Sequence, residues 1–430
     1  MNRARTEAFL SLTKSIKDKK YSNLEMNTSL EKSSLSPEDR SLYTRLYLGV
    51  LEKKITIDYL LSQISTIALN TLSAEVLCLL ELGAYQILYM DKIPDRAAIF
   101  ETVEIAKRNC KSAVSFINAV LRRISQEKNS IFSYLDLPGK KGLSLKYGYP
   151  RHLVSLWQNA YGKEMCEKIL IAQNTPARLT IRVNTLKISF EEYSEILKKE
   201  NIPFHKNPLC KNGITIEKGL SPLELFGFKE GLFFVQDAAA QRAIDRLGAK
   251  RNDSVLDLCA SPGGKSFSAA VDMENCGKIL SLELHKNRLG MIEDGAKRLG
   301  ISILEVQEND SSVCREDLRA SFDRVICDVP CSGYGTIAKK PDIRHKNPED
   351  ASLLPPLQLK ILMSGADALK KGGRILYSTC TLNPAENEDI TNAFLASHPN
   401  FIRIGEPETL FPVGGENDGF FCDLLEKIND

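Results

Sequence analysis

Over the first ~135 residues apolar side chains recur at three- and four-residue intervals, with Leu72, Val76, Leu79, Leu80 and Gly83 on one stripe and Ile117, Val120, Leu121 and Ile124 on another. That spacing predicts an all-helical domain over residues 1–138. The polar stretch Ser29 to Arg40 reads as a loop, within which Ser36 followed by Pro37, Glu38 and Asp39 predicts a helix start, serine as cap and proline in the first turn. Pro94 marks a break between helices, and a linker is expected at Pro138-Gly-Lys-Lys-Gly142, where the composition shifts.

Residues 143–230 mix helical spacing with short β-rich runs. Leu179 to Asn184 predicts a strand and Phe190 to Glu200 a helix, together a small α+β domain. From about Leu232 the pattern changes again, and apolar runs recur at Val255–Leu258, Ile279–Leu284, Ile303–Val306, Arg324–Cys327 and Arg374–Tyr377, separated by helical spacing such as Lys286 to Leu299. Strands alternating with helices predict a doubly wound parallel sheet over 231–430, with ligands at the carboxyl ends of its strands.

A chain of 430 residues suits two or three such domains at about 150 residues each. Hydrophobic residues at 43% and charged residues at 26% describe an ordinary globular mixture, excluding the disordered and fibrous classes. No apolar run of about 18 residues is present to span a membrane, and the first residues lead into no hydrophobic signal core, so the cytoplasm is the expected compartment, with a monomer as the default state. The net charge of +2 hides an uneven distribution, since Lys140 to Lys218 carries 14 Lys or Arg against 7 Glu and no Asp. A patch of that sign attracts phosphates, and solvated lysines on ordinary helices would give the same count.

Eleven cysteines, odd in number and scattered, predict thiols rather than a disulfide framework. The absence of a Cys-x-x-Cys pair and the presence of only five His leave a zinc site without support. Cys259, Cys276, Cys314 and Cys327 read as small apolar residues. Cys331, in Asp328-Val-Pro-Cys-Ser, and Cys380, in Tyr377-Ser-Thr-Cys-Thr, instead stand in turn-rich settings just after predicted strands.

The stretch Asp257 to Lys265 holds neither the dinucleotide fingerprint nor a phosphate loop. Its Cys259, Ala260, Ser261, Pro262, Gly263, Gly264 and Lys265 predict a sharp turn into a helix, where backbone can approach a ligand. Glu283 ends the next strand, where a carboxylate can accept both hydroxyls of a ribose. Asp310, after the third strand, could reach an adenine amino group or belong to a solvated loop.

Taken together, these residues resemble the RsmB (Sun, or Fmu) family of bacterial 16S ribosomal RNA cytosine-5 methyltransferases. Leu79 to Pro94 and Phe116 to Arg123 are similar to its NusB-like helical module. Arg182-Val-Asn184, Phe234 to Gln241, Cys259 to Lys265, Pro330-Cys331, Thr379-Cys380 and Asp418-Gly-Phe-Phe421 match its remaining motifs. The resemblance implies a Rossmann-like catalytic domain using S-adenosylmethionine, with Cys259 to Lys265 around the methionine part, Glu283 at the ribose, Asp310 near the adenine and Asp328 bordering donor and base. It implies Cys380 as the nucleophile, Cys331 as the thiol aiding release, and small-subunit ribosomal RNA as partner. The same reaction on transfer RNA or another RNA, and a non-catalytic RNA-binding factor, are the alternatives. The family commonly has Asp at Glu283 and Ala at Val329, and both changes keep the needed chemistry.

Overall fold

The computed structural model describes residues 3–18, 26, 30 and 35–429. They form two units, one holding the chain up to Leu170 together with Lys340–Lys346 and the other holding the remainder.

In the first unit, α1 (Arg3–Asp18), α2 (Pro37–Ile64), α3 (Ala74–Tyr89), α4 (Asp95–Asn109) and α5 (Val114–Glu127) form the predicted helical layer. Ser36 caps α2, its Oγ accepting the Asp39 amide at 3.2 Å and so satisfying a donor the first turn leaves unpaired. Of the polar stretch 29–40, residues 29 and 31–34 lie outside the described residues, and 37–40 already belong to α2.

Leu79, Leu80, Ile117, Leu121 and Ile124 are fully buried, and trimming one of these leucines to alanine would cost about 2–5 kcal/mol. Gly83 shares the stripe because a Cβ there would lie 2.6 Å from Leu121 Cδ1, so the approach of α3 to α5 requires a bare backbone.

The stretch expected as a linker is instead the start of α6 (Gly139–Tyr147). Its glycine serves tightness rather than slack, since a Cβ on Gly142 would fall 1.6 Å from the Leu137 carbonyl oxygen. Next comes α7 (Arg151–Ala172), interrupted at Gly162. The returning segment Lys340–Lys346 belongs to this unit. Its Arg344 guanidinium lies 3.9 Å from the Tyr149 ring centroid and donates to the carbonyls of Glu52 (2.9 Å) and Gly148 (3.2 Å), while His345 Nε2 bonds to the Leu51 carbonyl at 2.8 Å.

The second unit opens on a four-stranded antiparallel sheet of β1 (Leu179–Val183), β2 (Phe204–Lys206), β3 (Gly213–Ile216) and β4 (Phe233–Val235), in the order β2-β3-β1-β4. The amphipathic α8 (Phe190–Lys199) starts with a Ser189/Glu192 capping box and buries Tyr193 and Leu197. β4 follows the expected boundary near residue 230, yet it pairs with β1 (Phe233 opposite Val183) and completes this small sheet.

The large sheet then collects β5 (Ser254–Asp257), β6 (Lys278–Glu283), β7 (Leu304–Glu308), β8 (Phe322–Asp328), β9 (Leu369–Thr379), β10 (Phe401–Arg403), β11 (Glu408–Leu410) and β12 (Phe420–Lys427). Their order is β10-β12-β9-β8-β5-β6-β7, with β11 also on β12; neighbours from β5 to β9 run parallel and β12 returns antiparallel beside β9. α9 (Ala238–Leu247), α10 (Gly264–Asp272) and α11 (Leu289–Leu299) supply Ile244, Val271 and Ile292 to one apolar layer. After the short α12 (Pro348–Ser352), α13 (Leu354–Ala368) and α14 (Glu388–Ser397) supply Leu362 and Phe394 to another. Such double coverage is why the inner parallel strands carry apolar runs such as Val255-Leu256 and Val325-Ile326, whereas the edge strand β7 is only half buried. The chain winds outward from β5 in both directions, so the crevice outside the carboxyl ends of β5 and β8 is the switch point where this architecture binds ligands. Among the described residues no helix is long and apolar enough to cross a membrane.

Candidate active site

Asp257, Glu283 and Asp328 are the last residues of β5, β6 and β8, Cys380 directly follows β9, and Asp310 stands two residues past β7. Every sequence-predicted side chain therefore falls at the same end of one sheet.

After β5 the chain makes its sharp turn. The Ala260 amide donates to the Leu282 carbonyl at 2.9 Å and the Gly263 amide to the Ala260 carbonyl at 2.6 Å; the Ser261–Pro262 peptide bond is cis. Gly263 has φ 107, and a Cβ on it would lie 2.3 Å from the Phe267 ring. Only glycine fits this position. Gln236 fixes the start of α10, donating from Nε2 to the Gly264 carbonyl (3.1 Å) and accepting at Oε1 from Ser268 (2.7 Å).

Asp257 is 1% exposed and accepts from Ser266 Oγ at 2.6 Å. Burial pushes its carboxyl up to about 6. Burial likewise pushes the Cys259 thiol up, reinforced by Asp257, Asp328, Glu283 and Asp310. Glu283 is buried and accepts the His285 amide at 2.9 Å. Asp310 is exposed, and its Oδ1 accepts the Ser312 amide at 2.9 Å, a bond that holds its carboxyl below the ordinary range.

Cys331 Sγ and Cys380 Sγ stand 3.3 Å apart, within thiol hydrogen-bonding distance. The hydrogen bond to Cys380, then burial, then the charges of Cys380, Glu386 and Asp328 push the Cys331 thiol well up. Beside them Lys265 Nζ donates to Asp328 Oδ2 at 2.6 Å and sits 5.3 Å from the Phe420 ring centroid. Burial works against the Lys265 ammonium, but Asp328, Asp257 and Cys380 outweigh it and hold the lysine charged. Ser378 Oγ donates to Asp328 Oδ1 at 2.7 Å, and the Gly335 amide donates to the Cys380 carbonyl at 3.0 Å.

Ser266, Gln236 and Ser378 are functional neighbours that sequence reasoning missed. For Ser378 a signal exists, its place beside Thr379 at the polar end of β9 just before Cys380. Among the described residues no group of three His, Cys, Asp or Glu is placed to hold a metal ion.

Comparison with known proteins identifies the domains. Residues 245–425 match the family described as 16S rRNA methyltransferase RsmB/F, residues 149–222 its ferredoxin-like domain, and residues 2–126 the NusB family. The chain is 38% identical to a Bacillus subtilis protein named "Probable ribosomal RNA small subunit methyltransferase B", over 98% of each chain. It is 32% identical to one of the same name from Synechocystis, over 99% of each. In three dimensions it is similar to the crystal structure of PH0851, with a TM-score of 0.81, 24% identity and 99% of each chain covered, a likeness of fold. A NusB domain, a ferredoxin-like domain and a catalytic domain whose strand ends carry paired cysteines place this chain in the RsmB/F family of ribosomal RNA small subunit methyltransferases.

Proposed function

We propose that this protein transfers a methyl group from S-adenosylmethionine to carbon 5 of a cytosine in small-subunit ribosomal RNA, through a transient bond between Cys380 Sγ and carbon 6. The observation that carries this reading is the 3.3 Å contact of Cys331 with Cys380 beside the Lys265–Asp328 ion pair. The names of the relatives support the ribosomal substrate.

The residues present fit the donor. A ligand bearing an ammonium and a sulfonium suits a turn beside strand ends that carry Asp257, Glu283 and Asp328, with Asp310 just beyond β7. Glu283, buried at the end of β6, can accept ribose hydroxyls. S-adenosylmethionine, when bound, supplies a methyl group on a cationic sulfur and departs as the thioether.

Carbon 5 of cytosine is a poor nucleophile, so the ring must be activated covalently. The Cys380 thiolate adds to carbon 6, and the electron pair of the 5,6 double bond moves to carbon 5, which takes the methyl. Removal of the carbon 5 proton returns that pair to the ring, breaks the carbon–sulfur bond and restores the thiolate. Asp328 Oδ1 and Oδ2 already accept from Ser378 and Lys265, yet each oxygen has a second lone pair with which to bind the cytosine amine and protonated ring nitrogen as charge develops.

The two thiols divide the work electrostatically. Before addition, the Cys331 S–H donating to Cys380 keeps the proton on Cys331 and the charge on the nucleophile. Once that charge is consumed in the new bond, the main restraint on Cys331 ionisation is gone. Cys331 then releases its proton to solvent and can take the one on carbon 5. A paired base hides carbon 6, so the target is a loop nucleotide or a flipped one.

Bisulfite sequencing of RNA from a strain lacking this protein tests the proposal. One 16S ribosomal cytosine should lose its protection. Unchanged ribosomal RNA would refute the substrate, and a lost transfer RNA mark would reassign it.

A further inference from the structure

Glu386, one of the charges that push the Cys331 thiol up, is fully buried. Its carboxylate collects four hydrogen bonds: Ser332 amide (2.8 Å) and Ser332 Oγ (2.6 Å), Gln358 Nε2 (3.0 Å) and Asn383 Nδ2 (2.8 Å). Ser332 follows Cys331. Gln358 Nε2 also donates to the carbonyl of Pro330, which precedes Cys331 (2.9 Å). Both flanks of Cys331 are thereby fastened to one anion, in surroundings where a buried charge persists only if its lone pairs are satisfied.

Cys380 is held by a separate set. It extends β9, its carbonyl accepts the Gly335 amide, and its neighbours Thr379 and Thr381 are tied to Asn387, through Thr379 Oγ1 to Asn387 Oδ1 (2.6 Å) and Asn387 Nδ2 to the Thr381 carbonyl (3.0 Å). The two sets meet through side chains at Ser332 Oγ and Thr381 Oγ1 (2.7 Å), and through backbone carbonyls where Tyr377 Oη donates to that of Glu386 (2.6 Å) and the Gly335 amide to that of Cys380 (3.0 Å), the last two being independent of the Glu386 carboxylate. Adjacent residues Glu386 and Asn387 thus each govern one thiol.

We infer that Glu386 is a positioning residue for Cys331, setting its loop against Cys380 so that a methylated base is released. The inference rests on the function proposed above. In Glu386→Gln one acceptor oxygen becomes an amide donor facing groups that are themselves donors, so the Cys331 loop loosens while the Cys380 anchorage stays. Bond formation at carbon 6 should persist and release should slow.

The experiment uses the full chain, S-adenosylmethionine and a substrate RNA bearing the target cytosine, with turnover, RNA-bound protein on denaturing gels and donor affinity measured together. Glu386→Gln should lose roughly 10- to 100-fold in turnover, the scale of a displacement of about 1 Å at a reacting group. It should accumulate covalent RNA adduct and bind the donor as wild type does. A variant with wild-type turnover, or one losing turnover and adduct together, would overturn the inference, the second outcome marking a merely structural role. Should Glu386→Gln fail to fold, Ser332→Ala removes one donor from the same carboxylate and must show the adduct in smaller amount, its absence being equally fatal. Two controls separate this result from the parent reading: an active Cys380→Ala, or a Cys331→Ala that traps no adduct, sinks the covalent mechanism itself.

Discussion

Cys331 and Cys380 place their sulfur atoms 3.3 Å apart across 49 residues of chain, one after β8 and the other after its parallel neighbour β9. At that distance the Cys331 thiol, pushed up by its neighbours, can hold the proton and donate it toward Cys380 once Cys380 is ionised. Replacing Cys331 with alanine removes the S–H donor but leaves the nucleophile, so addition to carbon 6 should continue and release should stall. We expect turnover to fall by ~10²–10⁴, the range for losing a proton-transfer group, with a protein–RNA species retained on denaturing gels. Cys380→Ala should give neither product nor adduct.

Lys265 connects the turn after β5 with Cys380, the proposed nucleophile. Its ammonium pairs with Asp328, and the Cys380 charge is among the causes that hold it protonated. Lys265→Met removes a cation that favours the thiolate, so the acid limb of the pH–rate profile should move to higher pH. A shift of about one unit, worth ~1.4 kcal/mol, would cost nearly tenfold at pH values below the limb. Single-turnover rates between pH 6 and 9 would read it; an unmoved limb would show that Lys265 acts on Asp328 alone.

Much of this was legible in the sequence. The inner parallel strands were readable because they are covered on both faces and carry apolar runs, the edge strand β7 only through Leu304 and Val306, and the cysteines because they follow such runs in turn-rich settings. What escaped was what depends on pairing between distant segments. Ser378 meets Asp328 because the register of β8 with β9 sets them opposite each other. Glu386 is a hub because Ser332 and Gln358 converge on it from other parts of the chain. β4 is three residues long, and its partnership with β1 has no counterpart in its own pattern. Pro138 to Gly142 suggested slack from composition, but close packing against the Leu137 carbonyl is what requires a glycine there.

Glu283 and Asp310 were predicted as donor contacts on similar grounds, and their surroundings now separate them. Glu283 is buried at the end of β6, whereas Asp310 is exposed and turned onto the Ser312 amide of its own loop. Glu283→Ala should weaken donor binding by roughly 1.5–3 kcal/mol, the scale of hydrogen bonds to a charged group. Asp310→Ala should change it by less than about 1 kcal/mol, the scale of a neutral hydrogen bond. Isothermal titration with S-adenosylmethionine would rank the two, and equal losses would assign Asp310 a contact its geometry does not suggest.

His345 carries an acid liability in the first unit. Burial pushes its imidazole down to about 4, opposed by the Leu51 carbonyl and Asp58 and reinforced by the charges of Lys54 and Arg344. The folded group therefore binds its proton less readily than the unfolded one near 6.5. Stability from this residue is complete above pH 6.5 and is lost as the pH falls toward 4, because in that window the unfolded chain binds more protons. The loss amounts to roughly 3 kcal/mol from a displacement of about 2.5 units. His345→Gln keeps a donor for Leu51 and cannot titrate. Its urea midpoint should accordingly fall less than that of wild type between pH 7 and pH 4.5, and parallel declines in the two proteins would place the acid sensitivity elsewhere.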